Sequence, residues 1–177
     1  MAAFTITGIS IKLLDDIFDG DGPVSKANLA GQSAYAILFF AVGCLLSPVY
    51  TVVLFIAAYI LGMLRAGSDL FPLGNGFTEA VSLLLLSVIF IPVKIILFAL
   101  SVMLAIQLYD DIVDYENDYS AGLTNLVGRF GKWESMLTLV LAGTIAIKLD
   151  PLRTLLIFVS LPLALIISNY LERKLAE

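Results

Sequence analysis

Seven apolar segments follow one another along the chain, and they constrain its fold more than any other feature. None shows the two-residue alternation of a membrane barrel strand, so the pattern predicts helices. Of the 177 residues, 60% are hydrophobic and 14% are charged, whereas a soluble domain carries about 25% charged residues. We therefore predict one all-α domain over residues 1–177, a polytopic bundle of seven transmembrane helices in an integral membrane protein. The segments are Phe4–Phe18, Ala30–Leu46, Val49–Leu64, Phe77–Ile91, Val93–Tyr109, Trp133–Ile147 and Leu152–Leu171.

One stretch decides the topology, because Phe77–Tyr109 is nearly unbroken in its apolar character. As a single helix at ~1.5 Å per residue it would be about 50 Å long, well beyond a ~30 Å hydrocarbon core. Pro92 and Lys94 lie near its middle, and a charge at mid-bilayer is costly. We therefore expect two helices that meet near Ile91-Pro92. A single kinked helix with Lys94 in a polar cavity is the alternative.

Two carboxylate clusters end two of the predicted helices. The first spans Asp15–Asp19 and the second spans Asp110–Asp118, and with Asp21 they hold 9 of the 15 acidic residues. Like charges at helical spacing repel one another, and Mg²⁺ relieves such crowding by binding one or two carboxylates together with substrate phosphates. The clusters predict a metal-bridged diphosphate site. Its predicted metal ligands are Asp15, Asp16, Asp19, Asp110, Asp111, Asp114 and Asp118, of which Asp16, Asp19, Asp114 and Asp118 are the predicted catalytic residues.

Helical spacing places each cluster on one face. Asp19 follows Asp16 by three residues and Asp15 by four, so one helical face carries all three. In the second cluster, Asp114 and Asp118 follow Asp110 at i+4 and i+8 and are predicted to form a ladder along one helix. A solvated acidic cap on each helix is one alternative. A cation pathway is another, although nothing acidic lies in the middle of a predicted helix to relay an ion.

Four helices separate the two clusters once Phe77–Tyr109 is divided, so both clusters are expected on the same side of the membrane. Seven of the ten basic residues fall on that side, which indicates the cytoplasmic side. The chain has no basic patch, so nucleic acid is excluded as a partner. Membrane lipids are the expected surroundings, and a homo-oligomer is left open.

Three motifs occur in a fixed order along residues 10–132. Asp15–Asp19 resembles the N/D-D-x-x-D motif of the UbiA superfamily of intramembrane prenyltransferases, Phe71–Asn75 resembles its P-x-x-G-N segment, and Asp114–Gly122 resembles its D-x-E-x-D-x-x-x-G segment. The sequence then continues into Arg129–Gly131, which is similar to the R-x-G segment that follows. Two departures stand out: the family's next acid after the first motif falls at Pro23, and the family usually has more than seven membrane helices.

The resemblance implies a UbiA-like fold, Mg²⁺ as cofactor, a prenyl diphosphate as substrate and an aromatic or lipid acceptor. Lys26 and Arg129 follow the two clusters and would bind the diphosphate, with positive-inside anchoring as their alternative role. Tyr115 would border a carbocation or belong to an interfacial aromatic belt, and Asn75 would bind a polar substrate group or simply form a turn.

Three functions follow from these features. The first is a Mg²⁺-dependent prenyltransferase. The second is a terpene cyclase of the same superfamily, in which the carbocation is captured within the same molecule. The third is not enzymatic: a divalent-cation carrier or an inactive partner subunit.

The shared side of the two clusters can be tested by cysteine labelling. Cysteines introduced near Asp21 and near Asn117 should react with a membrane-impermeant reagent from the same face, because four helices separate them. Labelling from opposite faces would rule out a shared metal site.

Overall fold

The structure is a computed structural model that describes residues 1–19, 26–62, 76–116 and 126–176. Every regular element within these ranges is a helix, which confirms the all-α class. Eight helices are present there: α1 (Ala2–Asp19), α2 (Lys26–Leu46), α3 (Pro48–Leu61), α4 (Gly76–Phe90), α5 (Val93–Val113), α6 (Leu126–Phe130), α7 (Lys132–Leu149) and α8 (Pro151–Ala176).

Proline marks three of the joints between consecutive helices. α3 begins at Pro48, α8 begins at Pro151, and α5 begins directly after Pro92. Proline suits the start of a helix because its φ is already helical and its missing N–H would have no partner there. The break at Pro92 confirms the predicted division of Phe77–Tyr109 into two helices.

Within the described ranges, three helices contain segments that are long and apolar enough to cross a membrane: Leu29–Leu46 in α2, Val93–Val113 in α5 and Pro151–Leu171 in α8. α3 is also apolar but shorter. Many large apolar side chains on the helices face outward, and Leu45, for example, is 84% exposed. Soluble monomers rarely expose extensive apolar patches. The helices are therefore compatible with a membrane protein.

α1 lies in the interior of the bundle and packs against α2, α3 and α8. Its polar side chains bind neighbouring helices: the Thr7 Oγ1 atom lies 3.0 Å from Thr51 Oγ1 of α3, and the Ser10 hydroxyl donates to the Ala36 carbonyl of α2 at 2.8 Å. Both Thr7 and Ser10 are buried. Because their hydroxyl groups have partners, their burial carries little desolvation penalty.

A second part of the core joins α3, α5, α7 and α8. Small residues such as Ala99 and Ala146 are completely buried there, and small side chains let neighbouring helices approach closely. α4 has few neighbours and is tied to α3 by the Tyr59 hydroxyl, which donates to the buried Glu79 carboxylate at 2.8 Å. The packed unit is therefore formed mainly by the other long helices.

The second acidic cluster does not continue as one helix. α5 ends at Val113, and Asp114 at its C-cap has φ −90° and ψ 2°. The predicted ladder from Asp110 to Asp118 is wrong as a single helix, and Asp118 itself lies outside the described residues. The physical reason is charge: several carboxylates gather at the negative end of α5, and its last turn contains no basic residue.

The contact between α1 and α8 depends on Gly8, because a Cβ atom at this position would lie 3.0 Å from the Cβ of Ala164. Gly8→Val should lower the free energy of unfolding by about 1–3 kcal/mol, since it overpacks a close contact. Gly143→Val is the matched control, because a Cβ there meets nothing within 4 Å. Thermal unfolding in detergent measures both variants, and equal melting temperatures would contradict this packing.

Candidate functional site

Side chains of four helices enclose a cavity of about 160 Å³. Asp15 of α1 and Asp110 of α5 both line it, together with Gly62 at the end of α3 and residues of α8. The structure therefore brings one carboxylate from each acidic cluster to the same end of the bundle. We call this end, with Asp15, Gly62 and Asp110, the mouth of the cavity.

A lysine also lies at the mouth. The Lys12 Nζ atom is 2.7 Å from Asp16 Oδ1, one helical turn further along α1, and the charges of Asp15 and Asp110 act on it as well. Lys12 lines the cavity and is its one cationic lining residue within the described ranges. Lys12 therefore balances part of the negative charge that the two clusters bring together.

The two carboxylate oxygens of Asp16 have different surroundings. Oδ1 binds Lys12, whereas Oδ2 is buried and has no hydrogen-bond partner among the described residues. A buried acceptor without a donor is costly, and a bound cation would remove that cost. The first cluster therefore offers an oxygen that suits a hard cation such as Mg²⁺.

The described residues do not by themselves form a complete metal site. They contain no group of three or more Cys, Asp or Glu side chains placed to hold a metal ion. Mg²⁺ commonly binds one or two carboxylates and takes its other ligands from water and substrate phosphates. The carboxylates at the mouth fit this kind of shared site, in which the substrate supplies part of the coordination shell.

Asp111 has a different environment from Asp110. It is buried, its Oδ2 accepts the Leu126 N–H at 2.9 Å, and its Oδ1 accepts the Gln107 amide at 3.2 Å. This carboxylate connects the start of α6 to α5. Its predicted role as a metal ligand remains a prediction, while its structural role is evident from these contacts.

Gly62 leaves space between the side chains at the mouth. A Cβ atom there would lie 3.1 Å from Gln107 Oε1 and 3.7 Å from Asp15 Oδ1. Its φ of −102° and ψ of −65° are accessible to any residue. The glycine is therefore explained by the close approach of these side chains and not by its backbone conformation.

An aromatic ring lines the cavity at the end opposite the mouth. Phe4 lines the cavity, its ring packs edge-on against Tyr50 at 6.1 Å, and Tyr50 packs edge-on against Phe98 at 6.2 Å. The Arg153 guanidinium lies 4.3 Å from the centre of the Tyr50 ring and pairs with Asp150. This end is therefore built from interlocked side chains.

The Asp150 carboxylate also caps α8, because its Oδ1 accepts the Arg153 N–H at 3.0 Å. Partial burial raises the pKa of Asp150, but the hydrogen bonds from Arg153 and the charges of Arg153 and Lys94 lower it by more. The net pKa lies below its ordinary value. The contact therefore stabilises the fold at neutral pH and is lost only as the pH falls through this lowered pKa.

The remaining predicted site residues are placed as follows. Arg129 is exposed on α6, Tyr115 is half-buried just after α5, and Asp114 is exposed. Asp19 ends α1 and Lys26 begins α2, but their side chains lie outside the described part of the structure, as do Asn75 and Asp118. Their roles in binding metal or substrate stay predictions.

Lys12, Gln107 and Phe4 line the cavity but were not among the predicted site residues. The spacing of Lys12 and Asp16 at i and i+4 is a sequence signal for an ion pair, and it could have identified Lys12. Gln107 and Phe4 carry no such signal, because an amide or an aromatic ring in an apolar helix is common. Only the arrangement of the helices shows that they line the same cavity.

Comparisons of the chain with protein-family models, curated proteins and solved structures found no match. The resemblance to the UbiA superfamily therefore rests on the residues of its three motifs. Of these motifs, Asp15–Asp19 lies on α1, and Asp114–Gly122 begins at the C-cap of α5. Phe71–Asn75 is outside the described residues.

Lys12→Met removes the cation that faces the carboxylates at the mouth. In buffer with a chelator, this variant should unfold at a lower temperature than the wild type, by the equivalent of about 1 kcal/mol, because the carboxylates repel one another. Added Mg²⁺ should restore much of the difference. Lys148→Met, at an exposed lysine in the last turn of α7, is the control. An unchanged melting temperature for Lys12→Met would show that the carboxylates do not need this cation.

Proposed function

We propose that this protein is an intramembrane prenyltransferase, which releases diphosphate from a prenyl diphosphate and transfers the prenyl group to an aromatic or lipid acceptor. The observation that carries the proposal is the cavity, with Asp15 and Asp110 of the two clusters at its mouth and mainly apolar walls below. A prenyl diphosphate has the same division into a charged end and a hydrocarbon end. The proposal includes a UbiA-like bundle of seven membrane helices with the mouth on the cytoplasmic side.

The carboxylates at the mouth would hold Mg²⁺ with the substrate's phosphate oxygens. Asp15 and Asp110, which line the cavity, are proposed ligands, and Asp16, Asp19, Asp114 and Asp118 are the proposed additional ones. When bound, Mg²⁺ would supply the positive charge that stabilises the departing diphosphate. Lys12 would contribute a further positive charge at the same end, where the Asp16 carboxylate now holds it.

The Thr7 and Ser160 hydroxyl groups in the cavity wall already donate hydrogen bonds within their own helices, which suits a hydrocarbon ligand. Thr7 donates to the Ala3 carbonyl at 2.8 Å, and Ser160 donates to the Ile157 carbonyl at 2.8 Å. Neither hydroxyl therefore needs water from the cavity to satisfy it. Walls of this kind exclude water, which would otherwise capture the allylic carbocation left when diphosphate departs.

The same walls favour a second candidate, a terpene cyclase. A polar acceptor bound deep in the cavity would find the hydroxyl groups of Thr7 and Ser160 occupied. In a cyclase the carbocation is captured by a double bond of the same chain, so no acceptor site is required. Product analysis separates the two functions, because only a transferase consumes an acceptor.

The proposal is tested with purified protein in lipid nanodiscs, Mg²⁺ and prenyl diphosphates, with and without a membrane lipid extract. Asp16→Ala, Asp19→Ala, Asp114→Ala and Asp118→Ala should each reduce diphosphate release by about a hundredfold or more, because each removes a ligand for the charge that stabilises the leaving group. Glu134→Gln, at an exposed acid on α7, is the matched control and should keep normal activity.

A second measurement does not depend on turnover. Mg²⁺ together with a prenyl diphosphate analogue should raise the melting temperature by more than the sum of their separate effects, because each completes the binding site of the other. Near-normal diphosphate release by all four aspartate variants would show that the site is misplaced. Additive shifts in melting temperature would favour an inactive partner subunit.

A further inference from the structure

The lining of the cavity extends along most of α1. Phe4 and Asp15 both line it from α1, and eleven residues of helix at ~1.5 Å per residue separate them by about 16 Å. Its volume is about 160 Å³, close to the ~150 Å³ of an engineered cavity that holds a single benzene ring. A similar volume spread over this length has a smaller cross-section, so we describe the cavity as a tunnel. A linear chain fits such a tunnel better than a fused ring system.

Small side chains keep the middle of the tunnel open. Gly8 follows Phe4 by one helical turn on α1, and it faces Ala164 of α8 across a close contact. Thr7 is also short, and its hydroxyl is bonded back to its own helix. The width of the tunnel is therefore limited by the contact between α1 and α8. The aromatic ring of Phe4 lies on the side of this contact that is farther from the mouth.

Phe4 is supported from behind. Its ring meets Tyr50 at an interplanar angle of 84°, and Tyr50 in turn meets Phe98, which is 2% exposed. The Arg153 guanidinium covers the Tyr50 ring. Phe4 therefore has little freedom to move away from a ligand that presses on it, because Tyr50 contacts its ring and is itself held by Phe98 and Arg153.

We propose that Phe4 is the residue that determines which substrates fit, because it ends the tunnel and limits the length of the linear isoprenoid chain that enters it. This inference rests on the proposed function and makes it more specific. The phenyl ring of Phe4 has six carbon atoms and an isoprene unit has five. Removal of the ring should therefore admit about one further isoprene unit.

The test measures binding as a function of chain length. The probes are non-reactive thiolodiphosphate analogues of dimethylallyl, geranyl, farnesyl and geranylgeranyl diphosphate, titrated into the protein in nanodiscs. Titrations without Mg²⁺ report partition into the bilayer and are subtracted. For the wild type, affinity should rise with each added unit until the tunnel is filled, and then stop rising.

Substitutions at Phe4 should move this limit in opposite directions. Phe4→Ala should extend the rise by about one isoprene unit, and Phe4→Trp should end the rise at a shorter chain or weaken the binding of the longest chain that the wild type accepts. Phe40→Ala is the matched control: its ring packs against Phe55 at 4.9 Å and does not line the cavity. This variant should keep the wild-type limit, which separates a local effect of Phe4 from a general loss of packing.

The outcomes distinguish this inference from the proposed function. If the wild type binds the analogues with Mg²⁺ and neither variant at Phe4 moves the limit, the inference is wrong and the proposed function stands. If the wild type shows no Mg²⁺-dependent binding of any analogue, the proposed function fails and the role of Phe4 fails with it. If Phe4→Ala does not fold, the shift or lack of shift in Phe4→Trp decides.

Discussion

The contact of α1 with its three neighbours is the feature on which the rest of the architecture depends. Thr7 meets Thr51 of α3, Ser10 donates to the Ala36 carbonyl of α2, and Gly8 allows α8 to approach. Hydroxyl groups buried without partners would cost about 1–3 kcal/mol each, so these contacts favour one arrangement of the helices over others. The same helix carries Lys12, Asp15 and Asp16, and its placement therefore also determines where the charged mouth lies.

Two local ion pairs lie on helices that form the cavity, one near its mouth and one near the packed rings behind Phe4. Lys12 and Asp16 are one turn apart on α1, while Asp150 and Arg153 are one turn apart at the start of α8. The pairs differ in their surroundings: other carboxylates lie near the first, and Tyr50 and the more distant Lys94 lie near the second. The first pair therefore lies in negatively charged surroundings, and the second pair holds the start of α8 against Tyr50 of α3.

Much of the helical pattern was accessible from the sequence, because hydrophobic runs and proline act locally. The seven apolar segments overlap the seven longer helices, and the length of Phe77–Tyr109 correctly required a break at Pro92. The end of α5 at Val113 was not predicted, because Asp114 obeys helical spacing, whereas carboxylates that gather at a helix C-terminus oppose its continuation. Local rules of this kind predict that a helix is present better than they predict the residue at which it ends.

The site was predictable only in part. The clusters indicated that Asp15 and Asp110 would share one end of the bundle, and the cavity brings them together. Two other features depend on how distant helices pack. Asp111 accepts a hydrogen bond from the Leu126 N–H, and Phe4 lines the cavity at the end opposite the mouth. Such contacts are set by tertiary structure, which the periodicity of a single helix does not encode.

The pairing of Lys12 with Asp16 also bears on the life of the protein before it meets any ligand. An ammonium group tethered to the same helix is always present, at an effective concentration that no chelator or shortage of ions in the cell can lower. The chain therefore carries its own partial counter-charge through synthesis and membrane insertion. The same tether makes Lys12 a competitor for Asp16, so that any other cation that binds this carboxylate would have to displace the ammonium group.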